Sequence, residues 1–181
     1  MMAESTRRGA EIAYNWWWRL AGQDGAAGGG RRAALARLRR APTPLAVMQE
    51  PEALRLIERL PHSRQRAAIL AGVLALVRES EKQTVARKIG RKSLDDDKSA
   101  LVSEGRFRRL LQAHDDELME SMRRLVRMTK GKINVLDLSN AILYWGDRVK
   151  KRWIFDYYGV ASSLNSQDDA PESSTTSGNQ Q

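Results

Sequence analysis

The residues able to do chemistry in this chain are its arginines. Eight basic residues stand between Arg106 and Lys132, in three groups: Arg106/Arg108/Arg109, Arg123/Arg124/Arg127 and Lys130/Lys132. Between the first two groups lie the acids Asp115, Asp116 and Glu117. Further basic groups run from Arg37 to Arg40 and from Arg148 to Arg152, the second flanked by Trp145 and Trp153. Of 31 basic residues, 23 are Arg, whose planar fork of N–H donors matches phosphate oxygens better than an ammonium does. The chemistry such groups support is the non-covalent holding of a polyanion.

Covalent and metal chemistry find little support. The chain has no Cys, which removes disulfides, thiolate catalysis and cysteine-ligated zinc. His62 and His114 are its two histidines, too few for a site without carboxylates from elsewhere in the fold. Asp95, Asp96 and Asp97 are adjacent, so on a regular element they point different ways, and Lys98 follows at once. The run from Gly25 to Arg32 lacks the spacing of a phosphate-binding loop and has no strand before it. No Ser, His and acid form a familiar triad order. A non-enzyme without cofactor or metal is expected.

The elements that must position the arginines are helices. Ala, Leu, Arg and Glu dominate, and no stretch alternates with period two. A first helix is expected over Gly9 to Ala21, with Ile12, Trp16 and Leu20 at i, i+4, i+8. Trp16, Trp17 and Trp18 cannot all enter one core, so at least one should face another lobe or a partner. A basic helix follows over Arg31 to Arg40, turning Leu35 and Leu38 inward. Thr43 should cap the next turn with Pro44 in first position. Pro51 to Leu60 should bury Leu54, Ile57 and Leu60. Ser63 should cap a helix buried all round, Arg64 to about Arg78, with Arg64 and Arg66 at its positive end, where an anion would offset their charge.

In the second half, Ser103 should cap a helix burying Phe107, Leu110 and Leu111, with Arg106 and Arg109 on its outer edge. The next helix starts on Asp115 to Glu117 and buries Leu118, Met122, Leu125 and Val126. Acids at its start and bases near its end suit the helix dipole, but Arg123, Arg124 and Arg127 exceed that need. Asp137 should cap one long last helix, Leu138 to about Tyr158, with Ile142, Trp145 and Val149 inward. The fold class is therefore all-α. It divides into an N-terminal helical lobe (1–80), a polar linker or basic strap (81–101), a C-terminal helical lobe (102–160) and a disordered tail (161–181).

The formal charge is +9, and residues 161–181 hold three acids and no base, leaving +12 on the body. That excess suggests a polyanionic partner. Nothing resembles a recognition helix placing Asn or Gln among bases, so binding should follow the phosphate backbone without sequence preference. The N-terminus lacks the apolar core of a signal peptide. The longest apolar run, Ala67 to Val77, is too short to span a bilayer, so a soluble cytoplasmic protein without membrane contact is expected.

Several motifs in their order resemble one family. WWWRL, RAALARLRRA and AAILAGVLALV match its first half; GRFRRLLQA, MRRLVRM and VLDLSNAILYWGDRVKKRWIFDYY match its second. The chain resembles the CasB family, the small subunit of the type I-E CRISPR Cascade complex, over roughly Ala10 to Tyr158. The resemblance implies two helical lobes without enzymatic activity, serving antiviral defence. It implies self-association as a pair beside other Cascade subunits, holding the crRNA–target DNA duplex and the displaced strand of the R-loop, while base pairing with the guide reads sequence. The family's basic positions carry over to Arg39, Arg40, Arg64, Arg106, Arg108, Arg109, Arg123, Arg124, Arg148, Lys151 and Arg152. The Gly-rich loop Gly22 to Gly30 and the Ser/Thr/Gln tail depart from shorter relatives. A free-standing basic helical DNA-binding protein and a purely structural assembly subunit are the alternatives.

Overall fold

The computed structural model describes residues 2–26, 28–61 and 63–160, with side chains from residue 7 onward. The described residues form α-helices and one short 3-10 turn, Asp97–Ser99, and no strand. The helices are α1 (Met2–Leu20), α2 (Gly29–Arg40), α3 (Pro44–Met48), α4 (Pro51–Arg59), α5 (Arg64–Leu74), α6 (Val85–Ile89), α7 (Glu104–Gln112), α8 (Asp115–Met128), α9 (Val135–Leu143) and α10 (Asp147–Tyr158). The expected all-α class is what the chain adopts. The tail expected to be disordered, 161–181, lies outside the described residues, as does His62.

Helix α5 is the hub. Ala67 to Leu74 are all buried, and α3, α4, α8 and α9 pack on it. Ala67, Ala68, Ala71 and Gly72 keep its girth small, so neighbours come close. A Cβ on Gly72 would stand 3.0 Å from Val47 Cγ2, 3.0 Å from Arg123 Nη2 and 3.1 Å from Met119 Sδ. Each fully buried Leu or Ile on this helix contributes about 1.5–3 kcal/mol. The buried side chains make one contiguous cluster from Ala13 to Tyr157, and α1 from the first half packs on α9 from the second. Indole N–H groups tie the ends together: Trp16 Nε1 donates to Glu52 O (2.9 Å), Trp17 Nε1 to Val77 O (3.1 Å) and Trp145 Nε1 to Ala113 O (3.2 Å). Trp16 and Trp17 are buried, whereas Trp18 is 40% exposed and stacks on Tyr14. Trp18 is thus the one of the three that does not enter the core.

Thr43 caps α3 as expected, its side chain accepting from Ala46 N, with Pro44 next. Ser63 and Ser103 stand at the N-cap positions of α5 and α7 but make no side-chain cap bond. Three expectations need correction. Leu54 is exposed, because α4 turns Ala53 and Leu56 inward instead, with Leu60 behind them. The long last helix is broken between Leu143 and Asp147, where Gly146 is extended, so α9 and α10 form separately. Asn134, rather than Asp137, caps α9 by accepting from Asp137 N (2.9 Å).

The segment expected to be an exposed strap, 81–101, is largely built in. Val85, Ala86 and Ile89 of α6 are buried, and α6 packs on α10. Gly90 makes this possible, since a Cβ there would meet Tyr157 O at 2.2 Å and Tyr157 Cα at 2.5 Å. Three of its cations serve the fold. Arg87 donates to Arg91 O (2.8 Å) and Lys92 O (3.1 Å), Lys88 pairs with Glu81, and Arg91 pairs with Glu104 (2.7 Å) beneath the Tyr158 ring. Asp137 clamps the same region from α9. Its carboxylate accepts from Val85 N (2.7 Å) at the start of α6 and from Arg152 Nη2 (2.7 Å) on α10.

Candidate nucleic-acid interface

Helices α7 and α8 place arginines on two sides of one groove. On α7, Phe107 and Leu110 are buried three residues apart, and Arg106 and Arg109, also three apart, stand on the exposed flank. On α8, Leu118, Met122, Leu125 and Val126 are buried as expected, and Arg124 is exposed. Val102, Arg106, Arg109, Leu110, Ser121, Arg124, Leu125 and Met128 line the groove. Its floor is apolar and its rim carries three guanidiniums. Neither Arg106 nor Arg109 has a carboxylate partner among the described residues, and Arg124 lies 3.9 Å from Glu120, which sits closer to Arg127 at 3.2 Å. Free guanidiniums over an apolar floor suit phosphates on the rim with flatter, less polar atoms below.

Arg123, expected among the phosphate-binding residues, does not belong there. It is 3% exposed, and its guanidinium donates to three backbone carbonyls: Nε to Gly72 O (3.0 Å), Nη1 to Ala41 O (2.6 Å) and Nη2 to Leu38 O (2.8 Å). Burial pushes its pKa down, which Glu120 partly offsets. The residue pins the C-terminal ends of α2 and α5 against α8. This brings the α2 end, with Arg39 and Arg40, beside the turn of α8 that carries Arg124. Arg39 and Arg40 are exposed, but Arg39 Nε donates to Ala75 O (2.7 Å) and Arg40 Nε to Ala36 O (3.0 Å). Arg37, grouped with them in sequence, forks onto Glu50 (2.6 and 2.9 Å).

The remaining candidates lie elsewhere. Arg64 is exposed at the start of α5, where its neighbour Gln65 donates to Asp116 Oδ1 (3.4 Å). It therefore stands by the acidic end of α8, across a groove from Leu54, Arg55 and Glu58. From Asp116 to Arg124, α8 rises about 12 Å, which separates Arg64 from the arginine groove. Arg108 faces away from it, paired with Glu104; the Tyr158 hydroxyl first, then Glu104, raises its pKa. Arg148 and Lys151 are exposed on α10, and Lys150 lies 5.7 Å over the Trp145 ring. Arg152 is held by Asp137. The structure thus brings together Arg106, Arg109 and Arg124, sets Arg39 and Arg40 alongside, and leaves Arg64, Arg108, Arg148, Lys151 and Arg152 on other surfaces.

Glu120 and Glu104 are the internal counter-ions of these clusters, a role not read from the sequence, where Glu120 with Glu117 reads as a solvated helix face. Their spacing of four residues to Arg124 and to Arg108 was the available signal. Among the described residues no group of His, Asp and Glu is arranged to hold a metal, and no helix is long and apolar enough to cross a membrane.

The fold is similar to that of CasB from Thermus thermophilus, with a TM-score of 0.64 and 24% identity over 83% of this chain and 97% of that one. It is also similar to a chain in the crystal structure of E. coli Cascade bound to a PAM-containing dsDNA target, with a TM-score of 0.58 and 17% identity over 82% and 94% of the two chains. At these identities the likeness speaks for the fold. No curated protein matches the sequence significantly. The family model for CRISPR-associated protein Cse2 matches residues 34–158, a span holding α3 to α10 and the whole arginine groove. The family resemblance seen in the motifs is borne out: the chain belongs to the CRISPR-associated Cse2 family, that of CasB.

Proposed function

We propose that the protein is a non-catalytic small subunit of a CRISPR Cascade complex that holds nucleic acid by its backbone, without sequence preference. Within that complex it steadies the crRNA–target DNA duplex and the displaced strand, and it associates with a second copy of itself and with other Cascade subunits. The observation that carries this reading is the convergence of Arg106, Arg109 and Arg124 on one groove, the first two free of carboxylates among the described residues. Arg39 and Arg40 extend the positive surface at the α2 end. Arg64, Arg108, Arg148, Lys151 and Arg152 stand on faces other than the groove.

Another surface favours protein contact. Leu54 and Leu45 are 49% and 69% exposed, and the groove of Met48, Leu54, Ile57 and Leu60 is edged by Arg55, Glu58 and Arg64. An apolar patch with a mixed-charge rim suits a neighbouring subunit better than a phosphate chain.

The test is the triple variant Arg106→Ala/Arg109→Ala/Arg124→Ala, assembled with its partner subunits. Assembly should proceed while target DNA is held less tightly. The slope of log K against log salt should fall by about 2–3 units, at about 0.7–0.9 for each phosphate no longer held. Normal target retention with an unchanged slope would refute the groove; failed assembly would favour a purely structural role.

A further inference from the structure

Helix α10 carries an aromatic ring that the fold does not use. The inward register of the helix is set by Trp153 and Tyr157, four residues apart and fully buried. Phe155 lies two residues from each, about 200° around the helix, so it points away from the core. It is 42% exposed, and no other ring touches it among the described residues. Trp18, the other exposed large ring, is already stacked on Tyr14. Arg148, Lys151 and Arg152 precede Phe155 by seven, four and three residues, which sets all three on its stripe. Arg148 and Lys151 have no carboxylate partner among the described residues, and Arg152 gives one Nη to Asp137 (2.7 Å). Of the two acids on α10, Asp156 accepts from Thr84 Oγ1 (3.2 Å), and Asp147 stands eight residues from Phe155, about 12 Å along the axis.

From this placement we infer that Phe155 is a stacking platform for an unpaired nucleobase, with Arg148 and Lys151 holding the neighbouring phosphates. The site is separate from the arginine groove, and the inference rests on the reading of the protein as a nucleic-acid binder. A base face removes the exposed ring from water and matches it in shape. The cations decide the class of occupant. A protein side chain packed on Phe155 would strip water from Arg148 and Lys151 without pairing them unless it brought carboxylates of its own. A nucleotide joins a planar ring and an anion in one short unit. From Arg148 to Phe155 the helix rises about 10 Å, so ring and cations serve adjoining parts of one strand. In a duplex the base faces are closed against one another. The α10 site therefore selects an unpaired strand, a distinction that phosphate contacts in the groove make poorly.

The experiment compares the full chain with Phe155→Ala, Phe155→Trp and Arg148→Ala/Lys151→Ala at low salt, each variant checked for an unchanged melting curve. Three fluorescent probes of one length are titrated by anisotropy: a single-stranded oligothymidylate, an abasic strand with the same phosphates, and a duplex. Phe155→Ala should weaken the oligothymidylate about 5- to 30-fold and leave the other two probes within about 2-fold, while Phe155→Trp restores binding. Arg148→Ala/Lys151→Ala should weaken both single strands alike and lower the salt slope by about 1–2 units. A 5-iodouracil in the oligothymidylate should crosslink to Phe155 on irradiation. Unchanged oligothymidylate binding by Phe155→Ala, or equal losses on all three probes, overturns the inference; the nucleic-acid reading stands if Arg106→Ala/Arg109→Ala/Arg124→Ala still weakens binding. A Phe155→Ala chain that binds the oligothymidylate normally but fails to assemble with its partner subunits makes α10 a protein contact and also overturns it. Binding untouched by the α10 and groove variants together overturns both readings.

Discussion

Arg123 should act on stability, and its removal separates a fold-holding guanidinium from a phosphate-binding one. In Arg123→Met the side chain keeps its length and loses its donors. Three carbonyls then lose a charge-assisted partner: Gly72 O, Ala41 O and Leu38 O. Leu38 and Gly72 are buried, so their carbonyls cannot turn to water, at a cost of about 1–3 kcal/mol each. Ala41 is half-buried and its carbonyl recovers part of the loss from solvent. Against this stands the relief of desolvating a guanidinium, the same burial that pushes its pKa down. The net expectation is a loss of about 2–4 kcal/mol. At about 2–4 °C per kcal/mol for a chain of this size, the melting temperature should fall by roughly 4–16 °C. Arg123→Lys keeps the charge, but one ammonium cannot span carbonyls on two helices, so it should recover only part of the loss. Urea unfolding and thermal melts followed by circular dichroism read both variants. If both unfold within about 0.5 kcal/mol of the parent chain, while the salt slope for DNA falls by about one unit, Arg123 is a phosphate ligand and the reasoning fails.

Other consequences concern the clamp around α6. Gly90→Ala drives a Cβ into backbone atoms of Tyr157 that have no rotamer to yield, so it should cost about 3 kcal/mol or more, measured by urea unfolding. Asp137→Ala orphans the Val85 N–H at the start of α6 and frees Arg152; an expected loss of about 2–4 kcal/mol should come with faster amide exchange in α6. Asp156 has its pKa raised, chiefly by burial, with the Thr84 hydrogen bond opposing. A carboxyl with a raised folded pKa opposes folding above that pKa and stops doing so as pH falls to its unfolded value. Asp156→Asn should therefore raise the melting temperature at pH 7, with the difference from the parent chain closing as pH approaches 4; a constant difference across that range would contradict the assignment.

The helical class was legible because apolar side chains recur at helical spacing and little else competes. The burial of α5 was legible from an unbroken apolar run. The break between α9 and α10 was not, because Trp145 and Val149 continue the stripe of Ile142 across it, and only Gly146 marks the stop. The burial of the strap was not legible because it depends on a distant glycine–backbone contact, Gly90 against Tyr157, which local pattern does not encode. Arg123 is the instructive residue. It lies four residues after Met119 and three before Val126, both buried, so spacing alone put it on the inner face. Its charge argued for solvent, and what reversed that argument was a set of backbone carbonyls from α2 and α5, assembled only once those helices pack.

The same physics sorts the other guanidiniums. The last carbonyls of a helix are unpaired and carry partial negative charge. The α2 and α5 C-termini lie together at α8, and the arginines nearest to them are drawn in: Arg123 fully, Arg39 through Nε to Ala75 O. Elsewhere carboxylates do the same to Arg37, Arg91, Arg108 and Arg152. The outer edge of α7 meets no close carboxylate among the described residues, and no carbonyl there accepts from Arg106 or Arg109, so both keep their donors for an outside anion. A net positive charge spread over a chain says only that some anion is sought. Subtracting the cations already satisfied by the fold leaves, among the candidates, Arg106 and Arg109 at the groove and Arg64, Arg148 and Lys151 on other faces, and that remainder, rather than the total, is what a phosphate strand would meet.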